Sequence, residues 1–182
     1  MRTYLAGAIG GVDLDWAFEW RGKATEYLEH HGIQVLSPIP VKIPVEERLR
    51  FVTNNGCIKG LGKYIVHKDL YMIDQADILL VEMIHDDIPY RGTICEMVEA
   101  RQKEKLIVVW SEWAQDYPWI EYYATIVLPT LDDCLRFISR NMLGDDKLGT
   151  YDDRAYGDFT DCGIGIEGTL LSPGGGLDYF IS

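Results

Sequence analysis

Basic residues are scarce in this chain, with 17 lysines and arginines against 29 aspartates and glutamates in 182 residues, a formal net charge of −12. Binding to a nucleic-acid backbone rests on clustered lysine and arginine, so a nucleic acid polymer is not expected as a partner. A nucleoside or nucleotide is still admissible, because a small local site need not follow the net charge. Cysteine is sparse too: Cys57, Cys95, Cys134 and Cys162 are far apart and form no C-x-x-C pair. That spacing argues against a zinc site and against a disulfide framework. The histidines do not supply a metal site in their place, since His30 and His31 close a polar helix end while His67 and His85 stand alone. No metal and no cofactor are expected. Long apolar runs are missing as well, none approaching the roughly 18 residues that a membrane span needs. The N-terminal "MRTYLAGAIGG" lacks the longer apolar core of a signal peptide. The expectation is a cytoplasmic protein with no membrane association.

What remains is long enough for one domain with a sizeable core. "TYLAGAIGG" reads as a buried strand running into glycines, followed by a helix over "WAFEWRGKATEYLEHHG" that Gly32 closes. "IQVLSP" is a short second strand. Periodicity then breaks down from Ile39 to Gly62, read as a long loop with one helical turn around "VEERLRFV". Beyond it come a helix over "KYIVHKDLYMIDQA", a strand over "DILLVEM", a helix over "GTICEMVEARQKE" and a strand over "KLIVVW". A short strand over "YYATIVLP" and a helix over "TLDDCLRFISRNML" complete the order. Strands alternating with helices imply an α/β fold, a parallel sheet with helices on both faces. The strands are unbroken apolar runs, as expected where both sheet faces are covered. The division expected is a domain over residues 1–143 and an acidic, Gly-rich C-terminal arm over residues 144–182. The arm carries Tyr151, Tyr156, Phe159, Tyr179 and Phe180, and purely disordered segments are poor in aromatics.

In parallel sheets of this kind ligands bind beyond the carboxyl ends of the strands, at a switch in strand order. The first strand ends there in Gly7, Ala8 and Ile9, with Gly10 and Gly11 behind them. "DILLVEM" ends on the same edge, and leads through "IHDDIPYRGT" to Glu96. Two carboxylates stand out. On a helical wheel of about 100° per residue, Ile65, Val66, Leu70, Met72, Ile73 and Ala76 share one arc, and Asp69 is the charge inside it. A buried carboxylate needs a partner or a task, so Asp69 either bonds to backbone amides of a neighbouring loop or takes part in chemistry. Glu96 lies three residues after Thr93, the spacing of a capping box, in which Thr93 caps the helix and Glu96 reaches back to its amide. A carboxylate in the first helical turn is also held ionised, which suits a nucleophile.

"YLAGAIGG", Trp20-Arg21, "VLSP", "KDLYMIDQADILLVE" and "GTICEMVEA", in this order, resemble the nucleoside 2-deoxyribosyltransferases and their relatives, the nucleoside 5′-monophosphate N-glycosidases. The resemblance spans about residues 3 to 140. It implies a flavodoxin-like (Rossmann-like) fold and cleavage of an N-glycosidic bond. It makes Glu96 the nucleophile and Asp69 the second acid, with Tyr4 positioning the nucleophile. It places Gly7, Ala8, Ile9, Gly92 and Thr93 among the substrate contacts. It also implies assembly as a dimer or larger ring.

Two departures bear on the substrate. Tyr90 stands where the transferases carry an Asp and the monophosphate glycosidases a Ser. Asp86 and Asp87 lie a few residues earlier, either standing in for that acid or solvated; Asp87 is carried forward as a substrate contact beside Tyr90. In the first loop Ala8 and Gly10 replace a Ser and an Arg of the "GSIRGG" form, which turns the reading toward a free nucleoside. Trp110, Trp113, Tyr117 and Trp119 follow the fourth strand, and are read first as packing or subunit contacts. The function expected is a nucleoside 2′-deoxyribosyltransferase working through a glycosyl-Glu96 intermediate, with nucleoside and nucleobase as partners. The alternatives are a nucleoside or 5′-monophosphate N-glycohydrolase and a non-catalytic nucleotide-binding module.

Overall fold

The computed structural model describes residues 1–44, 46–48 and 61–143. Most of the expected loop and its helical turn, and all of the expected C-terminal arm, lie outside the described residues.

Among the described residues, five strands form one parallel sheet in the order β2-β1-β3-β4-β5. They are β1 (Arg2–Ala6), β2 (Gln34–Leu36), β3 (Ile78–Glu82), β4 (Leu106–Trp110) and β5 (Ile126–Leu128). The connecting helices are α1 (Leu14–His30), α2 (Leu61–Gln75), α3 (Arg91–Gln102), α4 (Pro118–Tyr123) and α5 (Leu131–Leu143). This strand order is that of the flavodoxin-like sheets. The central β3, "ILLVE", is buried at every position. Its neighbours alternate between faces with the period of two that a pleated strand imposes. Tyr4, Ala6, Leu79, Val81, Ile107 and Val109 join Ile73, Met97, Ala100 and Ile120 in one core. Leu5, Ile78, Leu80 and Val108 join Trp20, Ala24, Leu28, Leu135 and Ile138 in the other. One core is thus roofed by α2, α3 and α4, and the other by α1 and α5. Paired faces of this kind explain why the strands read as continuous apolar runs.

Local signals set several boundaries. Asp13 caps α1 by accepting the Trp16 amide at 2.9 Å. Gly32 follows its last turn at φ 73°, the left-handed conformation that ends helices and that glycine adopts without a Cβ clash.

Three expectations need correction. The fifth strand is confined to Ile126–Leu128, and Tyr122 and Tyr123 belong to the short helix α4. Pro118 stands at the start of that helix, where its missing N–H is not needed. Val66, placed in the apolar arc of α2, is 55% exposed, whereas Ile73 and Ala76 are buried. Finally, α3 begins at Arg91, two residues before Thr93, so Thr93 is not its cap. Tyr90 precedes the helix at φ 43° with no side-chain cap bond.

Candidate active site

Between the carboxyl ends of β1 and β3 lies a cavity of about 310 Å³. The chain leaves β1 toward β2 on one side and returns to β3 on the other, so this is the switch point of the sheet. Residues 7–10 after β1 form one lip, residues 88–93 form the other, and Asp69 and Glu96 complete the lining. The volume lies at the lower end of the range for small-ligand sites.

Glu96 is approached from the core. The fully buried Tyr4 hydroxyl donates to its Oε1 at 2.8 Å. This bond joins residues 92 positions apart and takes the place of the expected reach back to the Thr93 amide. Burial pushes the Glu96 carboxyl up to about 7. The Tyr4 hydrogen bond works against that rise, the charge of Asp69 adds to it, and the Arg21 guanidinium opposes it. Burial also drives the Tyr4 phenol far above its ordinary value, with the Glu96 charge next in effect, so Tyr4 stays a donor.

Asp69 sits on α2 with its side chain 14% exposed. Its buried Oδ1 has no hydrogen-bond partner among the described residues, and the Lys68 ammonium stands 3.7 Å away. Burial raises the Asp69 carboxyl above the usual range, and Lys68 offsets part of that rise. Lys68 is anchored in turn by donating to the Pro38 carbonyl at 2.7 Å. The Asp69 charge reaches Glu96 across the shared cavity, and burial favours the protonated form of each carboxyl.

No protein-family profile matches this chain, and no curated protein matches it. The solved structures similar to it include these two. One is the 2-deoxyribosyltransferase from the psychrotolerant bacterium Bacillus psychrosaccharolyticus, at 21% identity over 73% of this chain and 89% of that one, with a TM-score of 0.48. The other is the Clostridium botulinum CMP N-glycosidase BcmB, at 15% identity over 76% of this chain and 98% of that one, with a TM-score of 0.45. The strand order and the two cores by themselves define the flavodoxin-like fold.

Of the residues singled out from the sequence, Gly7, Ala8, Ile9, Asp69, Tyr90, Gly92, Thr93 and Glu96 line the cavity. Tyr4 lies behind it, joined to Glu96. Asp87 is exposed in the preceding turn and is not part of the lining. Tyr90 faces the cavity, but its hydroxyl is already engaged, donating to Glu82 Oε1 at 2.6 Å. Its left-handed backbone costs a bulky residue about 1 kcal/mol or more. Trp110 packs with Trp16 and Trp20 in a separate aromatic cluster, and Tyr117 and Trp119 are exposed. None of these three lines the cavity.

Two charged residues were given no role from the sequence. Arg21 is fully buried, and donates to the carbonyls of Ala17 at 2.8 Å and Gly7 at 2.9 Å. Burial lowers its guanidinium to about 10, which leaves it charged at neutral pH. Glu82 is also fully buried, at the end of β3. The wheel that exposed Asp69 applies equally to Arg21, which shares the buried face of α1 with Ala17, Ala24 and Leu28. Glu82 is the acid that ends an otherwise apolar strand.

Proposed function

We propose that the protein is a nucleoside N-glycosyl transferase, with deoxyribose passed from one base to another through Glu96. The observation that carries this reading is the hydrogen bond from the buried Tyr4 to Glu96, beside a second, partly desolvated acid in one cavity. A helix cap requires neither a core tyrosine nor a second acid.

In the reaction as proposed, a Glu96 oxygen attacks C1′ of the nucleoside. The C1′–N bond breaks, and its electron pair leaves with the base, which takes a proton from Asp69. The sugar is then held as a glycosyl ester, as in retaining glycosidases. Attack by a second base nitrogen at C1′ frees the Glu96 carboxylate, and the proton lost by the incoming base returns to Asp69. Tyr4 fixes the Glu96 oxygen that it holds and leaves the other for attack. The chemistry as written uses no cofactor.

Arg91 favours a second reading. It lines the cavity lip and supplies a cation where the first loop has no arginine. A 5′-monophosphate would find a partner there, and water in place of a second base would make the protein an N-glycohydrolase. The exposed Tyr64 and Tyr71 on α2 and Trp119 and Tyr122 on α4 are in keeping with assembly as a homo-oligomer.

Chromatography of a deoxynucleoside incubated with and without a second free base separates these readings. A new nucleoside formed only with the second base is the expected result. Free base accumulating in both reactions makes the protein a hydrolase. No product from nucleosides or monophosphates removes both.

Tyr4→Phe gives a second check. The tyrosine hydroxyl bonds the ionised carboxylate and so favours the anion; losing it raises the Glu96 value further. The attacking form is ionised, so turnover falls as pH drops through the Glu96 titration. The acidic limb of the pH–rate profile is expected to move up by about one pH unit in the variant. An unmoved limb would separate Tyr4 from the reacting carboxylate.

A further inference from the structure

The two lips of the cavity are joined beneath its floor by one side chain that does not line it. Glu82 Oε2 accepts the Ala8 amide of the first lip at 3.1 Å. Glu82 Oε1 accepts the Ile84 amide at 2.9 Å and the Tyr90 hydroxyl at 2.6 Å, both on the side of the second lip. Tyr90 passes the connection on, because its hydroxyl oxygen accepts the His85 amide at 3.1 Å. Gly7 makes the approach physically accessible: a Cβ there would stand 2.9 Å from both Cβ and Oε2 of Glu82. Arg21 grips the opposite side of the same loop through the Gly7 carbonyl.

We propose that Glu82 is a positioning residue, a clasp that sets the width of the cavity by holding the glycine loop against the β3–α3 loop. Ala8 and Tyr90 then serve as the two attachment points of that clasp. In this role the Tyr90 hydroxyl is a structural tie, and the tyrosine contributes to substrate binding only through its ring. The consequence for the reaction rests on the function proposed above: the clasp fixes where a bound sugar sits relative to Glu96, which lines the same cavity.

Glu82 makes each attachment separable. In Glu82→Gln the amide has one acceptor oxygen and one NH₂. The oxygen satisfies most donors by facing Ile84 and Tyr90, which turns the NH₂ against the Ala8 amide, donor against donor. This variant therefore opens the first lip. Tyr90→Phe leaves both Glu82 oxygens on their amides and frees the His85 amide, so it opens the second. A buried amide that loses its acceptor exchanges with solvent more readily.

The test is amide hydrogen exchange on the full chain, with steady-state kinetics on a deoxynucleoside. Glu82→Gln is expected to speed exchange at Ala8 by about tenfold or more, and Tyr90→Phe to do so at His85 while sparing Ala8. KM is expected to rise several-fold in both variants at temperatures well below unfolding. Unchanged Ala8 exchange in folded Glu82→Gln overturns the clasp, as does altered exchange with unchanged KM and kcat, which leaves Glu82 a merely structural residue. If Glu82→Gln does not fold, Tyr90→Phe decides by the same two readouts. If the wild-type chain turns over no nucleoside, the proposed function fails; the clasp then stands or falls on the exchange pattern alone.

Discussion

Glu96→Gln is expected to lower kcat by about 10⁴-fold or more, the scale at which removal of a nucleophile acts. The same variant is expected to be more stable than the wild type above neutral pH. Glutamine is close in shape to the protonated acid, and its oxygen still accepts the Tyr4 hydroxyl. The free-energy reasoning follows from linkage. The Glu96 carboxyl is raised from 4.5 to about 7 in the folded protein, so the fold favours its neutral form. The stability contributed by that preference is fully present below pH 4.5 and is lost as pH rises through about 7. The ionised carboxylate therefore costs the native state on the order of 3 kcal/mol at alkaline pH. For a chain of this size that corresponds to a Tm gain of about 5–10 °C for the variant at pH 8. No gain is expected at pH 4.5. Calorimetry at the two pH values, beside the assay, measures both effects. A variant that loses activity and also loses stability at pH 8 would show that Glu96 holds the fold and would return it to a structural role.

The second large effect is expected at Arg21, which holds the glycine loop from behind and does not itself line the cavity. Arg21→Leu removes the donors to Ala17 O, Gly7 O and, at 3.4 Å, Ala8 O. It also removes the positive charge that offsets Glu82 and Glu96. Taking away one partner leaves buried charges and carbonyls uncompensated, a change that costs about 3–5 kcal/mol. Tm is expected to fall by about 10 °C. Lysine is a poor substitute, since its compact ammonium lacks the planar fork that reaches the α1 backbone and the glycine loop at once. Arg21→Lys is expected to recover less than half of the loss. Calorimetry on the two variants is the measurement. An Arg21→Leu protein that unfolds with the wild type would mean that the glycine loop is held by Glu82 alone.

Much of this arrangement is legible in one dimension because it depends on repeating patterns. Apolar runs bounded by glycine and proline marked the buried strands, and the sheet order places both informative loops at its carboxyl edge. Asp69 announced itself as a charge inside an apolar arc, a conflict between burial and solvation that needs no partner to be visible. Val66 shows the limit of the same wheel, because periodicity ranks positions and leaves open which flank of a helix has a neighbour to cover it.

The role of Glu96 was undecidable locally. Thr93 and Glu96 carry the spacing of a capping box, yet the helix starts earlier, behind a left-handed Tyr90. What orients the carboxylate is Tyr4, brought across the sheet from β1 by packing between strands. Glu82 and Arg21 share this character: each satisfies its charge on atoms from other elements or from loop backbone, and such partners leave no periodic trace. Spacing along the chain was therefore enough to single out Asp69 and the edge of the sheet, while it left Glu96 between a helix cap and a reactive acid. Which oxygen is held, which hydroxyl is already occupied and what ties the lips together follow from desolvation, because a buried polar group must find its partner wherever the fold has put one.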